Sequence, residues 1–295
     1  RPAGRPYIEM EARSTFRFPL IDCADPFRSA HRFGADGIMS LFDTSNIVRI
    51  LLVFVRVSGL LMAAPFFGQN SIPTRVRVLV GAVLAYSLAG FATGPLPEYV
   101  AHDIGFMLIV LVEAGTGLLI GFTARLIFWA VNFAGTIMGY QMALSLSQTY
   151  NPMTGASSNP LGQILSYTFL IAFLLLDGHH MLLRALAQSF EVIPLGGGLL
   201  APSGPLLLEW MGDFFHIALR LAAPFLVLLF FTDVALGIFA TLIPQANLFT
   251  LSLPAKLLVG IAVFFAFIQG FLASVPPLID RMDRLVMQVL QAIAP

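Results

Sequence analysis

Residues 104–140 read IGFMLIVLVEAGTGLLIGFTARLIFWAVNFAGTIMGY. Only Glu113 and Arg125 in this run are charged, and apolar and polar residues do not alternate along it. A helix rises about 1.5 Å per residue, so about 20 apolar residues cross the ~30 Å hydrocarbon layer of a bilayer. Strands of a membrane barrel would be about 10 residues long and would alternate. The run therefore predicts a helix of membrane-spanning length.

Five similar apolar stretches surround this one, at residues 47–67, 76–93, 161–190, 214–243 and 255–275. Breaks that contain Gly or Pro separate them. The pattern predicts an all-α, polytopic, membrane-associated protein with about six long apolar helical stretches that form hairpins. Gly117 and Gly121, and likewise Gly135 and Gly139, have the small-xxx-small spacing that lets two helices approach closely.

The composition disfavours a soluble enzyme. Of the 295 residues, 58% are hydrophobic and 11% are charged, whereas a soluble domain is about 45–50% apolar and about 25% charged. The 16 basic and 16 acidic residues leave no net charge for nucleic-acid binding. No nucleophile, nucleotide or phosphate-binding motif is present, so we predict no enzyme activity and no cofactor. The adjacent His179 and His180 point about 100° apart on a helix, which favours a helix-end or interface role over a metal site.

Residues 1–38 differ from the rest of the chain. They hold six Arg and five acidic residues, and they lack the apolar core of a secretory signal peptide. We interpret them as a disordered extension, or as sequence upstream of a true start at Met39.

The charges in the breaks predict an orientation. Arg75 and Arg77 follow the first apolar stretch and Lys256 begins the sixth, which by the positive-inside rule places those breaks in the cytoplasm.

Ionisable residues lie inside nearly every apolar stretch. They include Arg56, Glu113, Arg125, Asp177, Arg184, Arg220 and Asp233. One central charge costs about 2.5–3.5 kcal/mol on insertion scales, and each good apolar residue returns only about 0.3–0.6 kcal/mol. Their partners are therefore expected on other helices or other subunits. An ion path is the alternative, but the charges occur singly rather than as a carboxylate relay, so we predict inter-subunit ion pairs.

The segment from Gln141 to Gln163 carries no charge and is rich in Ser, Asn, Gly and Pro. Irregular backbone at membrane depth is tolerated only where protein buries it or where it lines a water-filled cavity. The segment suits a constriction that yields to varied passing groups; an ordinary connection at the bilayer surface is the alternative. The candidate constriction residues are Met142, Ser147, Tyr150, Asn151, Met153, Gly155 and Ser158.

A set of short motifs in a fixed order resembles a known family. The motifs are Arg56 to Leu60, Ala64 to Phe67, Ile72 to Arg77, Gly139 to Met142, Asp177 to His180, Ile193 to Gly196 and Pro244 to Phe249. Together they resemble the FliR family of flagellar export proteins, which also includes SpaR-like and YscT-like injectisome proteins.

The resemblance implies a subunit of the type III protein export gate, in the flagellar basal body of the bacterial inner membrane. Its partners would be FliP-like and FliQ-like gate subunits, FlhB-like and FlhA-like export proteins, and unfolded axial proteins in transit. Residues 39–213 would form a FliP-like part, and residues 214–295 a FliQ-like hairpin with a C-terminal helix. The neutral segment would be the plug. Gln245, Asn247 and Lys256 would lie at the cytoplasmic tip of the hairpin. An injectisome homologue and a secondary transporter are the alternatives; a transporter would need an internal repeat, and we find none.

Overall fold

A computed structural model describes residues 44–65, 73–92, 103–142, 144, 159–197, 204–242 and 248–294, and every regular element in these ranges is an α-helix. The helices are α1 Thr44–Ala63, α2 Thr74–Leu88, α3 Asp103–Gln141, α4 Pro160–Leu175, α5 Gly178–Val192, α6 Gly204–Leu242 and α7 Leu248–Ile293. The chain divides into two compact units, residues 1–47 and residues 48–295. The second unit contains all the contacts discussed below. The predicted extension of residues 1–38 and the start at Met39 lie outside the described residues.

The prediction of an all-α protein with long apolar helices is confirmed, and its figure of about six stretches is approximate for the described residues. Four helices, α1, α3, α6 and α7, are long and apolar enough to cross a membrane, or five if α4 and α5 count as one broken span. The second predicted stretch forms α2, whose 15 residues extend only about 22 Å at 1.5 Å per residue. The fourth stretch is two helices that meet at 69°.

The bend between α4 and α5 has a local cause. Asp177 adopts a left-handed conformation, with φ 56° and ψ 25°, and this ends the regular helix. Gly178 follows and packs against the Phe173 ring so closely that a Cβ would collide with it. A hydropathy pattern does not register such a bend, because both sides of it remain apolar.

Helix α3 lies at the centre of the second unit, where it packs against α4, α5, α6 and α7. Its glycines confirm the close approach that their spacing predicts. A Cβ on Gly117 would collide with the carbonyl of Arg56 on α1, and a Cβ on Gly121 would lie 2.7 Å from the carbonyl oxygen of Leu60. A Cβ on Gly135 would lie 2.6 Å from the Cα of Gly162 on α4.

Helices α6 and α7 form a hairpin that is longer than the sequence predicts. Helix α6 begins at Gly204 rather than at 214, and α7 continues through Pro254, Pro276 and Pro277 to Ile293 rather than ending at 275. Two cross-hairpin ion pairs, Asp213 with Arg281 at 2.5 Å and Asp233 with Lys256 at 2.7 Å, hold the helices together. The proposed division after residue 213 therefore falls within one continuous helix. Many apolar side chains of the hairpin remain exposed.

Candidate functional site

The neutral segment begins and ends at the same turn of α3. At its start, the Leu144 amide donates to the carbonyl of Gly139 at 3.1 Å. At its end, the Asn159 side-chain amide donates to the carbonyl of Thr136 at 2.9 Å. The Asn159 side chain also lies against Gly139, in the space that a Cβ there would occupy. The chain thus leaves α3 and returns to it within one helical turn; we call residues 136–142, 144 and 159–162 the anchor.

The returning side of the anchor is fixed by its own hydrogen bonds. The Asn159 carboxamide oxygen accepts from the Leu161 amide at 3.1 Å and so caps α4, where Pro160 occupies the first position. One turn further along, the Asn132 side chain donates to the Ser166 hydroxyl at 2.9 Å. Together with the close approach of Gly135 to Gly162, these contacts join α3 to α4.

The departing side of the anchor is joined to the hairpin. Met142 is buried, and its side chain fills the space beside Gly260 of α7, where a Cβ would lie 2.5 Å from the Met142 Cγ. The Gln141 side chain donates to Asp233 of α6 at 3.4 Å, and Asp233 pairs with Lys256 of α7. Met142, a candidate constriction residue, is therefore packed into the scaffold. The other six candidates, from Ser147 to Ser158, lie outside the described residues.

A buried ion pair joins α1 to α3. The Arg56 Nε donates to Glu113 Oε2 at 2.5 Å, and the Arg56 Nη2 donates to Glu113 Oε1 at 3.1 Å. Both side chains are fully buried. A buried pair is tolerated only when further hydrogen bonds satisfy both groups, and here they do.

The remaining groups of this pair bind α5 and the turn after it. Arg56 Nη1 donates to the Ser189 and Ile193 carbonyls at 2.9 and 3.1 Å, and the Phe190 ring lies 4.4 Å from its guanidinium carbon. Gly196 has a φ of 77°, which favours glycine, and its amide donates to Glu113 Oε1 at 2.7 Å. Two side chains thus connect three helices and a turn.

The structure finds partners within the chain for several of the charges that we predicted to bind other subunits. Arg56 and Glu113 neutralise each other away from any surface, so the expectation of an inter-subunit partner is wrong for them. Asp233 pairs with Lys256, Asp177 lies 3.0 Å from His180, and Arg125 lies 5.2 Å from the ring centroid of Trp129 on its own helix. Arg184 and Arg220 are exposed.

Asp177, His179 and His180 bring their ligand atoms within 4.8 Å of one another. The Asp177 carboxylate already contacts His180 across the first turn of α5, and Asp177 is the residue at which the chain bends. These contacts support the helix-end role that the sequence favours.

Three residues are predicted to lie at the tip of the hairpin. Lys256 lies within α7, whereas Gln245 and Asn247 lie outside the described residues.

The pairing of Arg56 with Glu113 was missed, although a signal for it exists. The two residues lie 57 positions apart on different apolar stretches, so spacing within one helix says nothing about them. However, Glu113, Gly117 and Gly121 recur every four residues and share one face of α3. A charge on the same face as two close-packing glycines faces a neighbouring helix rather than lipid.

Comparison with known proteins shows the same family over most of the chain. Residues 47–282 match the model of bacterial export proteins, family 1. The flagellar biosynthetic protein FliR of Bacillus subtilis is 33% identical over 217 residues, which cover 71% of this chain and 82% of the relative. FliR of Escherichia coli is 29% identical over 218 residues, 72% of this chain and 81% of the relative.

A relative with a different name is also similar. The surface presentation of antigens protein SpaR of Shigella flexneri is 26% identical over 230 residues, covering 77% of this chain and 89% of the relative. These matches agree with the long apolar helices and with the ordered motifs. The chain therefore belongs to bacterial export proteins, family 1, as an integral membrane component of the type III export apparatus.

Proposed function

We propose that this chain is a flagellar export-gate subunit that, with FliP-like and FliQ-like subunits, forms the channel for unfolded axial proteins across the inner membrane. FlhB-like and FlhA-like proteins would complete the apparatus. One observation carries the proposal: the uncharged segment leaves and rejoins α3 at a single, firmly bonded turn. An injectisome role is the second candidate, supported by the similarity to SpaR; the higher identity to FliR favours the flagellar role.

The anchor lets the segment act as a plug. The described contacts that join α3 to α4 and to the hairpin lie in the anchor and beyond it, so the plug role proposed for residues 145–158 does not require those helices to separate. Interactions between charges strengthen in a confined path of low dielectric constant, so a charged plug would hold some substrates and repel others. A neutral plug avoids both effects. No catalytic step or cofactor is required for this role.

The surface of the hairpin suits burial in an assembly. Exposed apolar side chains line both helices, among them Phe230 and Phe231 of α6 and Phe265 of α7. We propose that gate subunits cover part of this surface and that the exposed charges Asp177 and Arg184 pair with them. The hairpin tip, with Gln245, Asn247 and Lys256, would face a cytoplasmic export component. Residues 39–213 would then serve as the FliP-like part and 214–295 as the FliQ-like part.

Deletion of Ser147 to Ser158 tests the plug. Every anchor residue remains, and residues 145 and 146 can span about 10 Å between Leu144 and Asn159 when extended. We expect the gate to assemble normally and the purified complex to conduct small ions in planar bilayers. A same-length replacement by Gly and Ser is the matched control for bulk, and it should conduct less than the deletion. Loss of assembly without any conductance would show that the segment is a packing element.

Complementation of a motility-deficient strain that lacks its own export protein separates the two roles. Restored swimming supports the flagellar role. Restored secretion in an injectisome-deficient strain, without swimming, would favour the second candidate.

A further inference from the structure

A basic cavity lies between the two hairpin helices, at the end away from residues 243–247. Its volume is about 430 Å³. The polar side chains that line it are Asp213, His216, Arg220, Ser274, Arg281 and Arg284. Apolar residues of the same two helices, including Ile217 and Leu278, complete the lining. Three guanidinium groups thus face one aspartate.

Two of these arginines have no anionic partner in the part of the chain that the structure describes. Asp213 is engaged by Arg281 at 2.5 Å, whereas Arg220 and Arg284 form no hydrogen bond or ion pair with any other described residue. The neighbouring acids of α7, Asp280 and Asp283, line a different groove, together with Asp177 and Arg184. The basic cavity therefore carries an excess of two positive charges.

The cavity lies at one end of a long charge-free stretch. On α7, residues 257–279 contain no charged side chain, and they extend about 35 Å at 1.5 Å per residue, close to the ~30 Å of a hydrocarbon layer. On α6, Arg220 lies about two turns beyond Asp213, within the apolar part of the helix. Side chains on a helix point back toward its N terminus, which for Arg220 is the direction of Asp213. A long arginine side chain can thus bring its charge back toward the cavity.

We propose that this cavity binds the phosphate of an anionic phospholipid. Basic pockets between membrane helices bind anionic lipid head groups, and guanidinium groups match the geometry of phosphate oxygens. The exposed apolar side chains of Phe215 and Leu219 on α6 and Leu272 on α7 lie beside the lining residues in the sequence and provide a surface for acyl chains. A single carboxylate from a neighbouring subunit would neutralise only half of the excess charge. For Arg220, an inter-subunit candidate by sequence, the lipid replaces the subunit as partner.

Native mass spectrometry of the full-length chain, together with the subunits that co-purify with it, tests this assignment. The probes are phosphatidylglycerol and phosphatidylcholine with identical acyl chains, each added to the delipidated protein. The test variant carries Arg220→Gln and Arg284→Gln, which leave the Asp213–Arg281 pair intact. The matched control is Arg75→Gln, which replaces an exposed arginine of α2 outside the cavity. A variant with Arg220→Lys and Arg284→Lys retains both charges.

The native protein should prefer phosphatidylglycerol, and the double Gln variant should bind it about 30-fold more weakly, since each arginine near a membrane surface contributes about 1 kcal/mol, or about a fivefold preference. The Arg75→Gln control should bind as the native protein does, and the Lys variant should recover part of the binding. Equal binding by the native protein and the double Gln variant would refute the proposal. Displacement of the lipid by inorganic phosphate alone would assign the cavity to the free ion instead. Unchanged lipid binding with loss of a co-purifying subunit would assign it to an acidic side chain of that subunit.

Discussion

Replacement of Glu113 by Gln should destabilise the protein far more than its small change in shape suggests. The substitution removes the negative charge but leaves the fully buried Arg56 guanidinium in place. Removal of one partner from a buried ion pair costs about 3–5 kcal/mol, because the remaining charge is uncompensated. Arg56 keeps its bonds to the Ser189 and Ile193 carbonyls, which neutralise no charge. We therefore expect a loss within that range.

The double substitution Arg56→Met with Glu113→Gln should be less damaging than either single substitution. It leaves no buried charge. Its main cost is the Ile193 carbonyl, which loses the hydrogen bonds that Arg56 donates to it; an unsatisfied buried acceptor costs about 1–3 kcal/mol. The two single losses would add to about 6–10 kcal/mol if the residues acted independently.

The free energy of unfolding can be measured by titrating the protein with sodium dodecyl sulfate in mixed micelles while its helicity is followed by circular dichroism. The matched control is Asp280→Asn, which removes an exposed carboxylate and should change the free energy by no more than about 0.5 kcal/mol. If Glu113→Gln behaves like this control, the buried pair does not stabilise the fold. A double variant that loses the sum of the two single effects would equally refute the coupling.

Three further predictions follow from other parts of the chain. A chain that begins at Met39 should restore motility to a null strain; stable expression without swimming would show that residues 1–38 are needed. Gly117→Val should separate α1 from α3, since a Cβ there collides with the Arg56 carbonyl, and overpacking of this kind costs about 1–3 kcal/mol or more. Gly237→Ala, where nothing lies within 4 Å, is its control and should unfold no more readily than the native protein. A photo-crosslinker at Asn247 should capture a cytoplasmic export component, whereas crosslinks confined to periplasmic proteins would reverse the orientation.

The long helices could be predicted because each apolar residue in a long stretch adds to the same hydropathy signal. In α3, 37 consecutive residues with two charges leave no other element that satisfies the backbone in a bilayer. Helix boundaries depend on single residues, and there the prediction was less accurate. Proline usually ends a helix, and Pro276 and Pro277 directly follow the predicted end of the sixth stretch at residue 275. Yet α7 continues through them, because Met282, Leu285 and Val289 beyond them are buried in the core.

The candidate site shows a similar contrast. The absence of charge between Gln141 and Gln163 can be read directly from the sequence, and it identified the segment. That Asn159 and Leu144 contact the same turn of α3 could not be read, because it depends on how tightly α3 and α4 approach. Gly135, Gly139 and Gly162 permit that approach. A glycine signals that a neighbour can come close, but it does not say which neighbour does.

The buried ion pair and the proposed plug lie at different places along α3. Glu113 is buried in the first half of the helix, whereas the anchor of the neutral segment begins at residue 136, about 35 Å further along at 1.5 Å per residue. A plug that opened by breaking the ion pair would have to supply the 3–5 kcal/mol that an uncompensated buried charge costs. The proposed plug joins α3 at the anchor, far from the ion pair, so its displacement would leave that pair intact; local segments can open without unfolding the whole protein. The two variants should therefore have different effects. Glu113→Gln should lower the amount of folded protein without letting ions through the gate. The Ser147–Ser158 deletion should let ions through without lowering the amount of folded protein. A deletion variant as unstable as Glu113→Gln would show that plug and scaffold are one cooperative unit.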